Sequence, residues 1–225
     1  MTRELNKRIL TSIILVIIIW ISIFVDKIIT IVALASISII SWHEFTKLIN
    51  KIFAKKQEIK ANIILIISAL YFVVFSGVAY YLIAFDKIYF IFILLTCIFS
   101  DIGGYVFGKT FKGKKLTKIS PNKTISGSIG SFIFAFFPYA FLKIIFIFTK
   151  TEYFIFVDMI LLNIITILYL SLVCQVGDLF ISFFKRLANV KDTGNLLPGH
   201  GGLLDRIDGI IFAIPALGFL GFLFK

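Results

Sequence analysis

Four aspartates, Asp178, Asp192, Asp205 and Asp208, share one short region with four cations, Lys185, Arg186, Lys191 and Arg206. Gly194, Gly199, Gly201 and Gly202 are set among them. Carboxylates are hard oxygen ligands for Mg²⁺, and basic side chains bind the phosphates that share the ion. Glycine lacks a Cβ and lets backbone approach a ligand closely. Asp205 and Asp208 stand three apart, on one face if a helix begins at Leu204, which is the simplest way to pin a divalent ion. The combination reads as a metal-dependent site for a phosphorylated substrate. A basic loop lying on anionic headgroups would need cations alone, and four acids among them would weaken that attraction. His200, between Gly199 and Gly201, has three available roles: general base, phosphate donor, or hydrogen-bonded loop residue.

A second polar set precedes the first. Asp101 lies in CIFSDIGGYVFGK, at the end of an apolar stretch, where a carboxylate is costly unless it is paired or lines a polar cavity. Gly103, Gly104 and Gly108 beside it permit close helix contact or a kink. Lysines then crowd positions 109 to 123, followed by Ser120-Pro-Asn-Lys-Thr and a Gly/Ser-rich helix start. Lys123 and Thr124 are placed where helix-start amides and a lysine could hold a phosphate, although GxxxxGK[ST] is absent.

The elements that must position these residues are apolar. Hydrophobic residues make up 60% of the 225, charged ones 16%, and 27 are Phe; the mean hydropathy is +1.03. Apolar stretches of about 20 residues recur, the length that spans a bilayer. The expected fold is an all-α polytopic membrane protein with about seven transmembrane helices, near 9–25, 28–42, 61–84, 87–107, 127–148, 154–175 and 208–224. The fourth is expected to be interrupted near Asp101, Gly103 and Gly104, and the fifth to kink at Pro138. Residues 1–100 read as N-terminal transmembrane helices and 101–225 as a catalytic transmembrane region with loops. With the N-terminus cytoplasmic, the long basic loops fall on one side, which by the positive-inside rule puts both polar sets at the cytoplasmic face. Retention of the first span is expected, since no Ala-x-Ala-like cleavage site follows it. The net charge of +11 is explained by these loops and not by nucleic acid. Cys97 and Cys174, in apolar surroundings, read as small core residues. Trp42 reads as a headgroup-level anchor. His43 and Glu44 read as interfacial too, with the alternative that Glu44 faces the bundle and helps orient a loop.

At the polar residues the chain resembles the phosphatidate cytidylyltransferase (CDP-diacylglycerol synthase) family, whose signature runs close to S-x-x-K-R-x4-K-D-x-G-x3-P-G-H-G-G-x2-D-R-x-D. Ser182, Lys185, Arg186, Lys191, Asp192, Gly194, Pro198, Gly199, His200, Gly201, Gly202, Asp205, Arg206 and Asp208 stand at its positions, with Gly177-Asp178 upstream. The stretch from Asp101 through Ser120-Pro-Asn-Lys-Thr resembles the family's second conserved region. One departure is Ser126, which stands where many members carry Glu. The resemblance implies a reaction of CTP with phosphatidate giving CDP-diacylglycerol and pyrophosphate, Mg²⁺ as cofactor and a homodimer; the abundance of Ile, Phe and Lys points to an AT-rich bacterial genome and so to a bacterial inner membrane. The resemblance implies metal ligation by Asp178, Asp205 and Asp208, with Asp192 a fourth candidate. Lys185, Arg186, Lys191, His200 and Arg206 complete the implied catalytic set, and Asp101, Lys123, Thr124, Ser182, Gly199, Gly201 and Gly202 would bind substrate. A CTP-dependent lipid kinase is the nearest alternative, and a membrane transporter or silent scaffold the next.

Overall fold

The computed structural model describes residues 17–53, 57–117, 119–149, 160–199 and 201–223, and among these the chain is helical. After a helical stretch over 17–24 come α1 (Lys27–Ile52), α2 (Glu58–Phe85) and α3 (Lys87–Phe111). Then follow α4 (Ile125–Phe134), α5 (Phe136–Thr149), α6 (Ile160–Leu187), the single turn α7 (Leu204–Ile207) and α8 (Ile210–Leu223). Among the described residues, five stretches are long and apolar enough to cross a membrane: α1, α2, α3, α4 with α5, and α6. α8 is a shorter apolar helix, and residues 9–16 of the first expected span and 154–159 of the sixth lie outside the described residues.

Asp26 and Asp86 start helices. Asp26 accepts from the Ile28 amide at 2.7 Å, and Asp86 accepts from Ile88 and Tyr89 at 2.8 and 3.2 Å. These N-caps satisfy amides that have no intrahelical partner. Along α2, Ile63, Ile66, Ile67, Leu70, Val73 and Val74 are all exposed. A face this apolar, repeated at helical spacing, has lipid as its natural solvent. The chain is a multi-pass membrane protein.

Several boundaries differ from the sequence expectation, each for a local reason. The second span does not stop at Trp42: α1 runs on to Ile52 because Ser41, Glu44, Phe45, Leu48 and Ile49 form one buried stripe. Trp42 is half-buried and makes a helix-to-helix contact. Its Nε1 donates to the Leu65 carbonyl and the Ser68 hydroxyl, tying α1 to α2. α3 passes unbroken through Asp101, Gly103 and Gly104. The glycines serve contact instead: a Cβ on Gly103 would lie 2.3 Å from the Gly130 carbonyl oxygen, and one on Gly127 would lie 2.7 Å from that of Gly104. α3 and α4 therefore pack backbone to backbone. The break expected at Pro138 falls at Ala135, between α4 and α5, because a proline ring displaces the turn before it. α6 is one continuous helix from Ile160 to Leu187, about 42 Å long.

The last helix, α8, packs against α2, α3 and α6. A Cβ on Gly209 would meet the Cys174 sulfur at 2.3 Å, and one on Gly177 would meet Phe212 at 2.6 Å. Cys97 and Cys174 are buried free thiols within this core, as their surroundings suggested.

Candidate active site

The site gathers at the ends of α3 and α6, the start of α4, and the segment leading into α8. Lys123 arrives through a return of the chain: the Leu116 amide donates to the Lys123 carbonyl at 2.8 Å and the Ile125 amide to Lys114 at 3.0 Å. Thr124 then caps α4, accepting from the Gly127 amide at 3.1 Å. With α4 held against α3 by glycine contact, Lys123 makes an ion pair with Asp178 on α6. Ser126, where an acid was expected, bonds to the Lys112 carbonyl and to Thr124, so it braces the same return.

Asp178 and Asp208 lie close enough that the charge of one acts on the other. Gly177 makes this possible, because a Cβ there would sit 2.8 Å from the Asp208 carbonyl oxygen. Asp208 is 7% exposed. Burial pushes its carboxyl well above the usual carboxylate range, and the Asp178 charge adds to the rise. Two acids this close resist ionising together unless a cation joins them. Asp101 completes the neighbourhood, within charge reach of Asp178, Lys123 and Arg206, and its carboxylate stands 4.0 Å from the Cys174 sulfur.

Asp205 has different company. Its Oδ1 pairs with Lys185 Nζ at 2.7 Å. Its Oδ2 accepts from the Thr193 amide at 2.7 Å, the Thr193 hydroxyl at 3.0 Å and the Gly202 amide at 3.0 Å. The expected set Asp178, Asp205, Asp208 is thus divided, because the loop's own amides claim Asp205. Among the described residues no three metal-ligating side chains come together. Asp192 is exposed beside Gly201. Lys185 links the two halves, since its charge reaches both Asp178 and Asp208.

Of the remaining candidates, Arg186 is exposed and donates to the Ile119 carbonyl at 3.4 Å. Lys191 and Arg206 are exposed, and Ser182 is half-buried. His200 lies outside the described residues. Gly199 and Gly201 have φ of 80° and 87°, which a tight turn closed by paired Leu197–Gly201 backbone bonds requires. Gly202 is needed for a different closeness, since a Cβ there would fall 2.4 Å from Glu44 Oε2 and 2.1 Å from the Thr193 hydroxyl. Thr193 carried no signal in the sequence beyond its place in the polar run. Ser128 and Gln175, bonded to each other at 2.6 Å, extend the polar lining from α4 to α6.

Beside this polar centre is a cavity of about 310 Å³, lined by Phe45, Ile67, Tyr71, Phe180, Phe184 and Phe212 among others. The Tyr71 hydroxyl is spent on the Ile211 carbonyl at 2.9 Å, and the Ser68 hydroxyl, also in the wall, on Leu65. What faces the cavity is hydrocarbon. Ile67 and Phe180 at its edge are exposed, so it opens on the outer surface of the bundle.

A family model described as "Cytidylyltransferase family" matches residues 51–224. The chain belongs to the cytidylyltransferase family. Similar curated proteins include the phosphatidate cytidylyltransferase of Rickettsia bellii, 46% identical over 125 residues, 55% of this chain and 53% of that one. That of Rickettsia felis is 43% identical over 133 residues, 58% of each chain. That of Staphylococcus saprophyticus is 42% identical over 137 residues, 59% of this chain and 48% of that one. The chain spans about half the length of the curated relatives it matches. All the residues of the polar centre lie inside the cytidylyltransferase match, whereas Glu44 and Phe45 of α1 lie before it.

Proposed function

We propose that this cytidylyltransferase transfers the cytidylyl group of CTP to phosphatidate, forming CDP-diacylglycerol and releasing pyrophosphate. The observation that carries the reading is the adjacency of the Asp178–Asp208 pair and its lysines to an apolar cavity open at the side of the bundle. That combination suits one molecule with an anionic head and an acyl tail. The similarity to proteins named phosphatidate cytidylyltransferase supports the same choice.

In this reaction a phosphate oxygen of phosphatidate attacks the α-phosphorus of CTP, and the bond to the bridging oxygen of pyrophosphate breaks. Both partners are anions, so charge must be offset before they meet. Asp178 and Asp208 fit a divalent cation such as Mg²⁺, which is commonly held by one or two carboxylates and completed by water and phosphate. Such an ion would neutralise charge on the phosphates and on the leaving pyrophosphate. Lys123 and Lys185 stand at the edges of the acid pair to bind phosphate oxygens, and Arg206 lies within charge reach of Asp101. The cavity takes an acyl chain and thereby fixes the lipid phosphate at the polar centre. Most basic residues fall in loops on the site's side, which by the positive-inside rule supports a cytoplasmic site, and a bacterial inner membrane belongs to the same proposal. The homodimer implied by the family belongs to the same reading and is checked by mass measurement in detergent.

The test uses purified protein in detergent–phosphatidate micelles with Mg²⁺ and CTP labelled separately at the α- and γ-phosphates. Alpha label entering lipid with γ label in pyrophosphate is expected. Gamma label entering lipid would make the protein a kinase, and no transfer would overturn the reading.

A further inference from the structure

We infer that Glu44, on α1, is a positioning residue of the active site: it fixes the loop that carries Asp205 and thereby sets where Lys185 stands. This rests on the cytidylyltransferase reading for its consequence in turnover, and on geometry alone for the anchoring.

Glu44 is only 3% exposed. A carboxylate buried that far needs hydrogen-bond donors, and it finds three, all in the segment between α6 and α8. It accepts from the Thr193 hydroxyl at 2.9 Å, the Leu203 amide at 3.0 Å and the Leu204 amide at 2.8 Å. The two amides belong to the start of α7, where helix geometry leaves N–H groups without partners. The residue that should cap this turn is Leu203, whose side chain has no means of doing so. Glu44 supplies the cap from another helix.

The loop is built to admit it. A Cβ on Gly194 would lie 2.6 Å from Glu44 Oε1, and one on Gly202 would lie 2.4 Å from Oε2. Two signature glycines are therefore small because this carboxylate occupies the space beside them. Thr193 joins the anchor to the reactive centre, since its hydroxyl touches both Glu44 and Asp205, and its amide donates to Asp205. Asp205 in turn holds Lys185 at 2.7 Å. The route from α1 to the substrate-facing lysine is Glu44, Thr193, Asp205, Lys185, with contact at every step. A residue that precedes the family match thus sets the position of a side chain within it.

The experiment compares Glu44→Gln, Glu44→Ala, Thr193→Val and the Gln–Val double variant, as full-length protein in detergent. Amide hydrogen exchange and steady-state kinetics with α-labelled CTP are both followed. Loss of the charge-assisted bonds should speed exchange at Thr193, Leu203 and Leu204 by about tenfold or more, with α3 and α6 unchanged. Turnover should fall in the order Thr193→Val, Glu44→Gln, Glu44→Ala, with KM for CTP within about threefold of wild type. The double variant should lose less than the product of the single losses, because both act through Asp205. Wild-type kcat and loop protection in Glu44→Gln would overturn the inference. So would faster exchange spread evenly over all helices with activity falling only as the folded fraction does. If the wild-type protein transfers no label, the cytidylyltransferase reading falls, while the exchange pattern still decides whether Glu44 holds the loop.

Discussion

At the residue scale, the two acids that meet and the one that does not have different work. Asp178 and Asp208 are neighbours in a way that suits a cation, whereas Asp205 is engaged by Lys185, by two amides of its own loop and by a Thr193 hydroxyl whose one proton it shares with Glu44. Asp208→Asn is expected to lower turnover by about 10²–10³-fold, the scale seen when one preorganised electrostatic partner is removed. A ligand that binds only the folded state raises its stability. Mg²⁺ should therefore raise the thermal midpoint of the wild-type protein in detergent and leave that of Asp208→Asn unmoved; equal shifts in both would rule Asp208 out as a ligand. The sequence made these residues visible because carboxylates, lysines and glycines rarely crowd together between apolar stretches. It left their pairing open, since spacing along the chain put Asp205 beside Asp208 and said nothing of the Thr193 and Gly202 amides that take Asp205 away.

At the element scale, two glycine-lined contacts hold the site in register. The α3–α4 contact carries Lys123 to Asp178, and the added Cβ of Gly103→Ala would meet the Gly130 carbonyl at 2.3 Å and the Phe134 side chain at 2.6 Å. Backbone cannot yield there as a side-chain tip can. A loss of about 1–3 kcal/mol of stability is expected, as for other overpacked cores, together with reduced turnover. Gly77→Ala has nothing within 4 Å of the new atom and should leave the thermal midpoint unchanged or raise it slightly. The pair of midpoints checks the prediction. Helix existence was legible from apolar length, and the ends were not. α1 outruns its expected stop at Trp42 because a buried glutamate and an inward tryptophan look, in sequence, like interface residues. α3 stays whole because its glycines face another helix, which one helix's sequence does not reveal.

At the scale of the whole molecule, the proposed function has the polar centre take the head of the lipid and the cavity its acyl chain. Ile67→Trp at the cavity edge should cut kcat/KM for long-chain phosphatidate about tenfold and change that for a short-chain analogue little, since a filled pocket penalises only the chain that needs it. Equal losses on both would remove the cavity from substrate binding. Membrane class was plain from composition, but the cavity was not, because its walls come from α1, α2, α6 and α8 and no single stretch announces them. The Glu44 anchor has a consequence in time. Its partner Leu204 lies 160 positions further along, so at a ribosome adding about 5–20 residues per second, α1 waits roughly 8–32 s for the segment whose amides Glu44 accepts from. Until then the Glu44 carboxylate lacks the loop donors that surround it in the folded chain.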